Sequence, residues 1–171
     1  FAEFSLPGAH GVVWDEAYRW LWVIGDEVLT ALKVKGTPEA PELEEVADRR
    51  CPLPTLHGHD LYPVYGDEDR LWVTTNSDIY CYVKSAHHIE KVPAASPSEC
   101  RQYVKSLVSF PQGQRMTVVP DSYRDPPGPC STRNNWTTDT VDFHPAGVSL
   151  SRKGAAFYKA RVWHLDYDGR R

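Results

Sequence analysis

Residues His57-Gly58-His59-Asp60 place two imidazoles and a carboxylate within four positions. Such a set can ligate a divalent metal or move a proton near neutral pH. A second histidine leads the stretch His10-Gly11-Val12-Val13-Trp14, 49 residues before His59. Neither stretch is complete as a site, and no GxSxG, HExxH, Walker-type or dinucleotide-binding pattern accompanies them. The chemistry open to these side chains depends on which other residues the fold brings to them.

The two stretches are copies of one pattern. With His10 aligned on His59, each histidine leads into a short apolar run, "GVVW" or "DLYPV". An acidic, polar turn follows, and then Leu21-Trp22-Val23 or Leu71-Trp72-Val73. A second polar break leads to "VLTALKV" or "IYCYVK". A third copy puts Lys105 at the histidine position and Met116-Thr117-Val118 at the Leu-Trp-Val position. The starting positions 10, 59 and 105 are 49 and 46 residues apart, close to the roughly 40–50 residues of a propeller blade.

Run, turn, run, turn, run predicts an antiparallel meander. Fourth strands are expected in "PELEEVA", "HHIEKVP" and "FYKARVWHLDY". The third copy carries a long insertion, "RDPPGPCSTRNNW", before its third strand "TDTVDFHP". Only "PEAPELEEVADRR" offers a turn or two of helix. The fold expected is all-β, a single β-propeller portion over residues 1–171. Its three four-stranded blades span approximately 8–50, 51–98 and 99–171. Known propellers use about four to eight blades, so the reading is half of a six-bladed ring. Another chain, or a segment outside this sequence, then supplies the remaining half. The alternative is a compact sandwich of the same strands.

In a propeller the innermost strand of each blade lines the central channel. His10, His59 and Lys105 each stand at the start of such a strand, so they are expected to converge on one channel mouth. His10 and His59 are candidate ligands for a divalent metal, with Asp60 or His57 adding a ligand or orienting an imidazole. Lys105 suits a carboxylate or phosphate. Trp136 follows the insertion, where an exposed indole is a platform for a sugar ring. The structural alternative is that polar groups at strand starts bond to neighbouring blades and set their register. Trp22 and Trp72 are expected in the inter-blade core, and Trp14, Trp20 and Trp163 are expected to pack. One of Lys159 and Arg161 is expected to face an acidic neighbour unless both lie at the surface.

The formal net charge of −4 gives no basic footprint for nucleic acid, and no apolar run reaches the roughly 20 residues of a membrane helix. Cys51, Cys81, Cys100 and Cys130 show no CxxC spacing. Two disulfides in a secreted protein are the preferred reading, with free buried thiols the alternative. Cys100 and Cys130 fall in loops on one face and are the expected pair, leaving Cys51 with Cys81. Asn135-Trp136-Thr137 is an N-glycosylation sequon, in keeping with an extracellular location. The sequence begins at Phe1 without a signal-peptide pattern, which reads as a processed, truncated or partial chain.

The stretches "LPGAHGVVWDE", "LPTLHGHDLYPV", "LWVTTNSDIYCYV", "VKSLVSF", "NWTTDTVDF" and "FYKARVW" resemble, in order, the C-terminal half of a family of secreted, propeller-like proteins of unknown function. The resemblance implies a protein of about twice this length with six blades, and it carries no activity over. The extra cysteines and the Pro-rich "RDPPGPC" depart from that pattern and suggest a disulfide-stabilised extracellular variant. The function expected is an extracellular propeller that binds a glycan or other ligand at its channel mouth. A metal-assisted hydrolase, lactonase or polysaccharide lyase is one alternative, and a structural secreted protein is another.

Overall fold

The computed structural model describes residues 1–124 and 136–163. These residues form an all-β structure of three antiparallel four-stranded sheets in chain order. The first sheet contains β1 (Gly11–Asp15), β2 (Trp20–Ile24), β3 (Val28–Gly36) and β4 (Pro41–Glu45). The two-residue β5 (Cys51–Pro52) pairs with the start of β3. The second sheet contains β6 (Gly58–Val64), β7 (Asp67–Thr75), β8 (Ile79–Val83) and β9 (His88–Lys91). The third contains β10 (Ser106–Ser109), β11 (Arg115–Val118), β12 (Thr140–His144) and β13 (Val148–Ser151). Each sheet is a meander whose strands pair with their chain neighbours.

Two expectations change. The fourth strand of the third sheet is Val148–Ser151, not the stretch that begins at Phe157. A hairpin with Gly147 at φ 64° turns the chain straight back from β12, so the fourth position is filled early. The acidic stretch thought open to helix forms β4 and one 3-10 turn at Ala47–Arg49.

Burial on both faces explains why β2 and β7 read as continuous apolar runs. Trp22, Ile24, Leu29 and Ala31 of the first sheet pack on Leu61, Leu71, Val73, Tyr80 and Tyr82 of the second. On the other side of the second sheet, Trp72 and Ile79 pack on Val104, Leu107 and Val119. Trp22 and Trp72 thus do the same work one repeat apart. Their indole N–H groups donate to Asp15 at 3.0 Å and Ser109 at 2.9 Å. Each ring buries roughly 150–250 Å², which contributes several kcal/mol at about 25 cal/mol/Å². Trp20 packs beside the first cluster, but Trp163 is 95% exposed, against the expectation of packing.

The outermost faces stay apolar. On the first sheet Val12, Leu21, Val23, Leu32 and Leu43 line a cavity of 370 Å³. On the third, Val148 and Leu150 are exposed, and Val141 and Phe157 line a smaller hollow.

Strand alternation also rules out the Cys51–Cys81 bridge. Cys51 packs against the first core cluster, which holds Tyr80 and Tyr82. Cys81 lies between those tyrosines in β8, so its side chain points to the opposite face of the sheet. Cys51, Cys81 and Cys100 are free thiols, and Cys130 lies outside the described residues.

A backbone relay sets one sheet against the next, at the end where β1, β6 and β10 begin. The Asp26 N–H donates to the Pro7 carbonyl at 3.0 Å, and the Asp26 carbonyl accepts from the His57 N–H at 2.6 Å. One repeat later the Asn76 N–H donates to the His57 carbonyl at 3.1 Å, and the Asn76 carbonyl accepts from the Tyr103 N–H at 3.0 Å. The lead-in residues Gly8, His57 and Tyr103 are left-handed, with φ of 61°, 62° and 57°. Side chains other than glycine resist that geometry by about 1–2 kcal/mol. The contact is also close: a Cβ on Gly58 would stand 2.4 Å from the Gly25 carbonyl oxygen.

At the far end, the Lys84 ammonium donates to Asp15 at 2.5 Å, and the two side chains are 4% and 2% exposed. Burial pushes the Asp15 carboxyl up. Hydrogen bonds from Lys84, the Tyr18 N–H and the Trp22 indole outweigh burial and leave it below its usual range. Lys84→Met is expected to lower stability in urea by about 3–5 kcal/mol, because it strands a buried carboxylate. Asp15→Leu with Lys84→Met is expected to recover most of that loss. Since the folded pKa is depressed, the pair's contribution is complete above about pH 4 and falls away as pH drops through the folded value. Urea midpoints at pH 7 and pH 3 measure both effects.

Candidate functional site

Register defines the positions that the three sheets share. Gly11 pairs with Ile24, Asp60 with Thr74 and Ser106 with Val118. The residues just before them are His10, His59 and Lys105, as the repeat predicts. His59 occupies a bulge in β6, between the Gly58–Thr75 and Asp60–Thr74 pairs. A bulge re-aims its side chain.

These positions meet at one end of the three sheets. The His10 and His59 rings stand edge to face with centroids 5.6 Å apart. Lys105 Nζ lies 2.8 Å from His59 Nε2 and 5.4 Å from the Trp136 ring. All four ligand-site residues expected from the sequence are therefore neighbours. Trp136 is 54% exposed, whereas Lys105 is 2% exposed. Tyr103 and Tyr123 stack at 3.6 Å, and the Tyr103 ring is 6.0 Å from Lys105 Nζ.

The hydrogen bonds assign roles to the imidazoles. His10 Nδ1 is 2.6 Å from the Gly8 carbonyl, so Nδ1 carries the proton and Nε2 is left to accept. His59 Nε2 lies 2.5 Å from Asn76 Oδ1 as well as beside Lys105. It cannot donate to Asn76 and accept from a charged Lys105 at once, which couples the His59 tautomer to the charge on Lys105. Burial and the Lys105 charge lower the His59 pKa to about 4, so the ring is neutral at ordinary pH. Burial, with help from Lys159, lowers Lys105 to about 8.

Asp60 does something other than ligate a metal or orient an imidazole. Its Oδ2 accepts the Leu107 N–H of β10 at 2.9 Å. Its Oδ1 accepts from Lys159 at 2.7 Å and from Arg161 at 2.5 Å. Both basic residues face the same carboxylate, where the sequence suggested one. Lys159 Nζ also donates to the His10 carbonyl at 3.0 Å and the His59 carbonyl at 2.8 Å. Its three protons thus bind the starts of two inner strands and Asp60. The segment that carries Lys159 crosses the inner strands instead of adding an outer one.

Other expected residues lie apart. His57 Nδ1 is 3.6 Å from Asp26, and its half-exposed ring belongs to the relay turn. No group of three or more His, Cys, Asp or Glu side chains able to hold a metal occurs among the described residues. The Lys105 ammonium against His59 opposes a cation there. Asn135 lies outside the described residues.

Sequence reading missed Asn76, Tyr103, Tyr123 and the central place of Lys159. Continuing the repeat spacing finds Lys159, which stands 54 residues after Lys105 and opens another short run, Ala160-Arg161-Val162. Asn76 and Tyr103 follow from aligning Asp26 and Gly8.

A family model described as "Family of unknown function (DUF6528)" matches residues 2–167. No curated protein and no solved structure matches the chain.

His59 yields a pH test. Its folded pKa lies below the ordinary 6.5, so the unfolded chain binds more protons between about pH 6.5 and 4. Stability is expected to fall as pH drops through that window, by no more than about 3 kcal/mol from this residue. His59→Gln is expected to flatten the slope. In Lys105→Met the His59 pKa, followed by ring-nitrogen NMR, is expected to rise; an unchanged value would show that Lys105 does not act on it.

Proposed function

The chain belongs to this family of unknown function, DUF6528, and we propose that it is a β-propeller portion whose channel mouth binds a glycan. One observation carries the reading: His10, His59, Lys105 and Trp136, from separate parts of the chain, stand together at one end of three repeated sheets. The half-exposed Trp136 ring offers a face for a sugar. His10 Nε2 can accept from a hydroxyl, and Lys105 can donate to an acceptor.

The propeller reading draws support from the repeated packing of Trp22 and Trp72 and from the apolar outer faces of the first and third sheets. In a ring, further sheets of the same kind, from another chain or another segment, would cover those faces. The extracellular reading rests on the Asn135 sequon, since Cys51, Cys81 and Cys100 are free thiols. The metal-assisted alternative would need ligands beyond His10 and His59.

Glycan-array screening followed by calorimetry tests the reading. Trp136→Ala is expected to weaken binding at least about tenfold, or 1.4 kcal/mol. Its melting temperature is expected to stay near that of the parent, because the ring is half exposed. Undiminished binding by Trp136→Ala would place the glycan elsewhere.

A further inference from the structure

We infer that the ligand of this mouth is an acidic glycan, one whose uronate-type carboxylate pairs with Lys105. The inference rests on the glycan reading above and adds the charge of the sugar.

Lys84 is the other buried cation, Arg101, Arg115 and Arg124 are partly buried, and each of the four has a carboxylate partner. Lys84 has Asp15 at 2.5 Å, Arg101 has Asp78 at 2.6 Å, Arg115 has Glu99 at 3.3 Å, and Arg124 has Asp142 at 2.5 Å. Lys105 is as buried as any of them, yet among the described residues its polar contacts are the ring nitrogens of His59. The nearby carboxylate, Asp60, is shared between Lys159 and Arg161. With Lys105 protonated, Lys105, Lys159, Arg161 and Asp60 sum to two positive charges, in a chain of formal net charge −4.

A buried ammonium without a counter-ion costs several kcal/mol, and an oxyanion brought against it recovers much of that cost. His59 is neutral and supplies no compensating charge in either direction. One ammonium matches a monoanion. A phosphate or other dianion calls for a guanidinium fork or several donors, and Arg161 is already held by Asp60 and the Tyr62 face at 4.4 Å. Lys105 Nζ lies 5.4 Å from the Trp136 ring centroid, so the indole and the ammonium border the same part of the mouth. The ring and the charge are then read together, as stacking and ion pairing of one residue of the glycan.

The test is an array of matched oligosaccharides in four forms: uronate, uronate methyl ester, sulfate ester and neutral. Hits are measured by calorimetry on the parent chain, Lys105→Met and Lys105→Arg. Expected is a uronate preference over the methyl ester of about tenfold or more, lost in Lys105→Met and partly kept in Lys105→Arg. The preference should also shrink between 50 mM and 500 mM salt. Equal binding of acid and ester, still abolished by Trp136→Ala, overturns the acidic ligand and leaves the glycan reading standing. Preference for the sulfate ester overturns the carboxylate assignment. No binding in any of the four forms overturns the glycan reading itself. If Lys105→Met fails to fold, the acid-to-ester ratio and its salt dependence in the parent chain decide the matter.

Discussion

Everything at the end where β1, β6 and β10 begin hangs on a pair of peptide groups, Asp26 and Asn76. Each donates to the lead-in of its own sheet and accepts from the lead-in of the next. Two short hydrogen bonds per repeat fix both the spacing between sheets and the height at which each inner strand begins. That height puts His10, His59 and Lys105 on one level. The left-handed turns at His57 and Tyr103 are the cost of this arrangement, and the sheet-to-sheet cores around Trp22 and Trp72 offset it. A slip of one residue in any inner strand would send its key side chain to the other face.

Charge organises the two ends of the sheets differently. At the far end Asp15 and Lys84 form a closed, buried pair joining the first sheet to the second. At the near end Asp60 gathers two cations and a β10 amide, and Lys159 gathers two strand carbonyls. At this end Lys105 has only the His59 ring nitrogens as side-chain polar contacts among the described residues, and the half-exposed Trp136 ring stands beside it.

Much of this could be read in the residues. The strand order, the three-fold repeat and the equivalence of His10, His59 and Lys105 follow from hydrophobic alternation and spacing, because a meander records its pairing in local pattern. Trp136 was legible as an indole placed after an irregular insertion. The errors share one cause, which is that sequence pattern does not say which face or which layer a segment joins. Cys51 and Cys81 looked like partners until alternation placed them across a sheet. The stretch after Phe157 alternates like a strand, but it crosses the inner strands, and the hairpin at Gly147 supplies the outer strand.

The sequence by itself determined the elements, their order and the residue at each repeated position, since backbone pairing and side-chain alternation are short-range consequences of residue type. Only the tertiary structure decided the electrostatics. Asp60 meets Lys159 and Arg161 across about a hundred residues of chain, and Lys105 meets a neutral imidazole where a carboxylate would have balanced it. Burial and proximity between distant segments set those charges, and no local pattern encodes either one.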